Sequence, residues 1–76
     1  MTPTMLRQLW SLVETTQANV LMTLDDDTLA QWLLKQFKMN SSINGSEAEQ
    51  LNQYIQSRLS LIRDLAAERL GAEPSG

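Results

Sequence analysis

Cysteine and histidine are missing from this chain altogether. Without them there is no disulfide framework, and a structural zinc site has none of its usual ligands. The same gaps remove the common general base near neutral pH and the most readily activated nucleophile, so the chain does not read as an enzyme. Glycine is sparse: Gly45, Gly71 and Gly76 stand singly, which leaves no glycine-rich phosphate loop. Apolar residues never run longer than three, as in Val20 to Met22, so no segment reads as a membrane span. Met1 to Met22 also lacks the basic start and continuous apolar centre of a signal peptide.

Clustered positive charge is the next shortage. Six Lys and Arg stand against nine Asp and Glu, for a net charge of -3, and the basic residues are scattered. Nucleic acid is therefore a disfavoured partner, because affinity for phosphate backbones depends on clustered cations. Asp25, Asp26 and Asp27 are adjacent, and side chains that follow one another around a helix start point in different directions, which makes them a poor acid and base pair. Their spacing also lacks the alternating ligands, central Gly and terminal Glu of a calcium loop. They suit the N-terminus of a helix instead. No motif calls for a cofactor, a metal or a small-molecule substrate.

What remains is helical punctuation. Thr2-Pro3 can cap and open a first helix, whose apolar positions Met5, Leu9, Leu12, Val13 and Val20 fall on one face. That helix is expected over about 3–22, with a break near Thr16 as the alternative, because Thr15, Thr16 and Asn19 are weak helix formers. Asp25 caps a second helix over about 26–39, with Leu24 and Leu29 placed as a hydrophobic staple. Asn40 to Gly45 reads as a loop with Ile43 folded back into it. Ser46 and Glu49 have capping-box spacing for a third helix over about 47–70, which Gly71 would stop. Residues 72–76 read as a frayed tail. The expected fold is all-α: one domain over 1–71, an antiparallel three-helix up-down-up bundle whose long third helix overhangs the second.

Such a short chain buries a modest core unless something enlarges it, and its apolar arcs are wide. The third helix is apolar over roughly half its circumference, and the second, through Ala30, Trp32, Leu33, Leu34 and Met39, is broader still. These widths point to a homodimer or another protein partner. Four residues are the candidates for that interaction: Arg58, Tyr54, Trp10 and Leu34. Arg58 falls near the centre of the third helix's apolar arc, so it either reaches a carboxylate, with Glu14 and Asp25 to Asp27 in view, or lays its stem on apolar neighbours and extends its head to solvent. Rim exposure is the commoner arrangement for arginine. Trp10 and Tyr54 lie at arc edges, where tryptophan and tyrosine often serve as interface anchors. Arg63 reads as balanced by Asp64 and Glu68.

The stretch Leu24-Asp25-Asp26-Asp27-Thr28-Leu29-Ala30-Gln31-Trp32-Leu33-Leu34, with Tyr54-Ile55-Gln56-Ser57-Arg58-Leu59, resembles short uncharacterised all-helical proteins of cyanobacteria. The resemblance implies a bacterial cytoplasmic protein and no site residues. The expected function is a small helical interaction, adaptor or regulatory module that self-associates. The alternative is a helix-turn-helix-like DNA-binding regulator, which would need an exposed basic helix.

Overall fold

Side-chain caps set where three of the helices begin. The computed structural model describes residues 2–72, and among them the chain forms five helices and no strand: α1 Pro3–Thr15, α2 Ala18–Thr23, α3 Asp26–Asn40, α4 Gly45–Ser57 and α5 Leu59–Ala72. The Thr2 hydroxyl accepts from the Met5 amide at 3.2 Å, with Pro3 opening α1. The Asp25 carboxylate accepts from the Thr28 amide at 3.1 Å, with Asp26 and Asp27 in the first turn of α3. At α4 the cap differs from the expected Ser46–Glu49 pair. Asn44 accepts from the Glu47 amide at 2.8 Å and Glu47 accepts from the Asn44 amide at 3.1 Å, a reciprocal box two residues earlier. Gly45 and Ser46 consequently lie inside the helix rather than in the loop. At the other end Gly71 does not stop α5, which continues to Ala72; the rest of the expected tail lies outside the described residues.

Five helices stand where three were expected because two of the expected helices are interrupted by hydroxyl side chains. In the first, the break near Thr16 is the form adopted. The hydroxyls of Thr15 and Thr16 both donate to the Leu12 carbonyl, at 3.1 and 2.7 Å, and Thr16 turns to extended backbone as the C-cap of α1. Such back-bonding to the preceding turn destabilises and bends a helix, and here it accompanies the end of α1. Thr16 is buried, and its amide also reaches Leu12 and Val13 carbonyls, so nothing polar is stranded there. In the expected third helix the Ser57 hydroxyl donates to the Tyr54 carbonyl at 2.7 Å, the acceptor that a regular helix would offer to the Arg58 amide. That amide bonds Ile55 instead, and Arg58 leaves helical geometry with φ -116° and ψ 10°. The Arg58 carbonyl accepts from the Ile62 amide, which starts α5 at once.

α3 packs between α1 and α4, and α2 packs on α5. End to end, α4, Arg58 and α5 would span about 40 Å at 1.5 Å per residue, close to the 45 Å longest dimension of a particle only 22 by 19 Å across. α3 is too short to line that whole length, and α2 covers the part it leaves. One core joins the two ends: Leu9 and Val13 of α1, Leu21 of α2, Leu29, Leu33 and Phe37 of α3, Leu51 and Ile55 of α4, and Ile62 and Ala66 of α5 are buried. Leu24, Trp32, Leu34 and Ile43 pack half-buried against it. Met39, on the expected apolar arc of α3, is instead 71% exposed. No helix among the described residues is long and apolar enough to cross a membrane.

The cap on α3 makes stability pH-dependent. Hydrogen bonds from Thr28, side chain first and backbone amide second, hold the Asp25 carboxyl below its ordinary value. A folded-state value below the unfolded one gives stability that is present above the unfolded value and lost as pH falls through the folded one. Asp25→Asn keeps a capping oxygen but cannot titrate, so thermal melts between about pH 5 and pH 2 should fall less steeply with acid than in the parent. Parallel slopes would remove Asp25 as a source of the acid dependence.

Candidate functional site

Three of the four candidate residues meet. Trp10 of α1 donates its indole N–H to the Tyr54 hydroxyl at 3.2 Å, and the two rings stand edge to face, 83° apart with centroids 6.3 Å distant. Arg58 lies one helical turn after Tyr54 and sets its guanidinium carbon 5.3 Å from the centre of that ring, the spacing at which side chains four apart on a helix meet. Trp10 and Tyr54 are half-buried and Arg58 is exposed. The arginine therefore adopts the rim arrangement and uses an aromatic face in place of the carboxylates of Glu14 or Asp25 to Asp27. Leu34 is elsewhere: it packs half-buried against the core on α3, and no hydrogen bond or ring contact among the described residues ties it to the other three.

Beside this cluster runs a groove of about 370 Å³ between α1 and α5. Trp10, Val13, Leu21, Leu65 and Ala66 give it apolar walls, and Glu14, Glu68 and Arg69 stand at its rim. Arg69 reaches back to the Val13 carbonyl at 3.4 Å near the end of α1. On the outer side of α5, Leu61 is 44% and Leu65 38% exposed, while Leu59, Ile62 and Ala66 of the same helix are buried. α5 is thus apolar on two faces, and the chain covers one of them.

The arginine that does meet the acidic cluster is Arg63. Its Nη1 donates to the Leu21 carbonyl at 2.8 Å, and its Nη2 donates to the Leu24 carbonyl at 2.6 Å and to Asp26 Oδ1 at 2.9 Å. Leu21 and Leu24 carry orphan carbonyls at the C-terminus of α2, where the helix dipole is negative. Asp25 to Asp27 place carboxylates immediately afterwards. Two negative features are thus brought together by a tight corner, and one guanidinium bridges them through two carbonyls and Asp26. The expectation that Asp64 and Glu68 balance Arg63 fails because residues one and five positions away on a helix do not face it.

Among the described residues, no group of three or more acidic side chains converges as a metal site, and no buried side-chain nitrogen or oxygen lacks a partner. The arrangement offers apolar contact, aromatic faces and peripheral charge. No family model, curated protein or solved structure matches the chain.

Carbonyl capping and ion pairing at Arg63 separate on mutation. The Asp26 side chain is 74% exposed and that of Arg63 24%, so Asp26→Asn should cost under about 1 kcal/mol. Arg63→Ala, which also abandons two carbonyls, should cost about 1–3 kcal/mol in denaturant unfolding. Equal losses would place the whole effect in the ion pair.

Proposed function

We propose that this protein is a small helical protein-interaction module that associates with a second copy of itself, enlarging a core that one chain keeps small. The observation that supports this most directly is the second apolar face of α5, with Leu61 and Leu65 exposed and Leu65 sharing a groove with the half-buried Trp10. A helix apolar on two sides ordinarily has neighbours on two sides. Two-fold homodimers are the commonest small assemblies, and apolar centres ringed by charge are the usual anatomy of their interfaces.

In this reading α1 with α2, α3, and α4 with α5 act as the three rods of a bundle, two of them jointed, and the dimer closes over the α5 part of the third. Trp10, Tyr54 and Arg58 form its rim. An edge-to-face aromatic pair held by a hydrogen bond needs little reordering on binding, which suits it to an anchoring role. An adaptor of this kind would bring the same rim to a protein partner.

Sedimentation velocity across a dilution series tests the association. The weight-average mass is expected to rise from one chain toward two as concentration approaches about 1 mM, the weak regime of a contact made by a few side chains. A single-chain mass throughout would end the self-association reading.

A further inference from the structure

The outer face of α5 carries a pattern that reads the same in both directions. Leu61, Leu65 and Glu68 of α5 are spaced four and three apart, the spacing of a helix-packing seam, and fall within about 60° of arc at 100° per residue, while Arg58, the residue immediately before α5, stands three positions before Leu61. All four are exposed. Arg58 and Glu68 stand five residues to either side of position 63, and Leu61 and Leu65 stand two to either side. Arg63 itself points to the opposite side of the helix, where it holds the end of α2.

We infer that a second copy of this chain docks on this face with its α5 antiparallel, the two-fold axis passing beside position 63. The inference rests on the self-association proposed above and names its register. A two-fold contact places each residue against its counterpart at equal distance on the other side of the axis. Leu61 then meets Leu65 of the partner copy at the centre, and Arg58 meets Glu68 of the partner copy at each end, about 7–8 Å from the axis along the helix.

Charge complementarity selects a second copy as the occupant. Parallel docking would set Arg58 against Arg58 and Glu68 against Glu68, whereas the antiparallel register pairs each with its opposite. Neither residue forms an ion pair among the described residues. The ion pair among the described residues joins Arg63 and Asp26, and Arg58 rests on the Tyr54 ring at the rim. Trp10 and Glu14 flank the seam on the α1 side, so the groove beside Leu65 lies at the margin of the same contact.

A charge exchange tests the register. Arg58→Glu gives a chain with carboxylates at both ends of its seam, and Glu68→Arg gives one with guanidinium groups at both ends. Each alone should associate at least about tenfold more weakly than the parent. An equimolar mixture of the two should recover parental affinity as a heterodimer, and the double variant should recover it as a homodimer. Circular dichroism checks that each variant keeps its helix content. Because the chain has no cysteine of its own, Leu61→Cys mixed with Leu65→Cys provides a second readout: added oxidant should link the two variants to each other faster than either to itself.

Recovery in the mixture together with the mixed crosslink supports the seam. Single variants that associate as well as the parent, or a mixture that stays monomeric while the parent dimerises, would overturn the seam and leave self-association standing on another face. A parent that remains monomeric at about 1 mM would overturn both.

Discussion

One guanidinium stands at the point where this fold would otherwise repel itself. α2 ends at the Leu21 and Leu24 carbonyls that no helical amide takes, and α3 starts directly afterwards with its cap Asp25 followed by Asp26 and Asp27. Both features are negative, and the corner between them is a single extended stretch at Leu24 and Asp25. Arg63 enters from α5 and bonds to both sides. The carboxylates are required by α3 for its cap and its dipole, so the corner cannot shed the charge without weakening the helix. A cation from a distant part of the chain is the remaining solution. It also fixes α2 on α5, the part of the long spine that α3 does not reach.

The two helix interruptions serve the same end. A straight helix over 3–22 would leave α3 behind and expose its own apolar face. By ending α1 at Thr16 and starting again at Ala18, the chain sends Leu21 into the core beside Ile62 and Ala66. The joint at Arg58 does the corresponding work on the other rod, since α4 packs on α3 while α5 packs on α2. Both joints use serine or threonine hydroxyls that take a helical carbonyl. α2 is only six residues long, too short to hold helical form by its own ladder. Its stability is borrowed from burial of Ala18 and Leu21 and from the arginine at its end.

Much of this was legible. Thr2-Pro3 and Asp25 mark helix starts because capping is local chemistry, and Leu9, Leu33, Leu51 and Ile62 declare themselves core by spacing alone. The weak spot at Thr16 was visible, although not that it would break. The cap of α4 was misplaced by two residues because Asn44–Glu47 and Ser46–Glu49 both satisfy the same spacing, and only the first lets Gly45 and Ser46 join the helix. The joint at Arg58 was not legible, since Ser57 is an ordinary residue on a helix surface until its hydroxyl turns back. Trp10, Tyr54 and Arg58 each stand out singly in the sequence, and their contact depends on α1 and α4 both packing on α3, which no local signal encodes. Arg63 was missed because its partners are about 40 residues away in sequence and two of them are backbone atoms, which leave no residue signature.

If Arg63 is what holds the α2 end of the molecule, removing it should loosen that end and spare the other. Native-state amide hydrogen exchange on Arg63→Met measures this directly, because local opening and global unfolding carry different free energies. The α2 and α5 amides should lose protection together, including those of Leu24 and Ile62, while the α3 and α4 amides around Leu33 and Leu51 keep a larger share of theirs. Uniform loss across all five helices, or unchanged protection in α2, would contradict that role for Arg63.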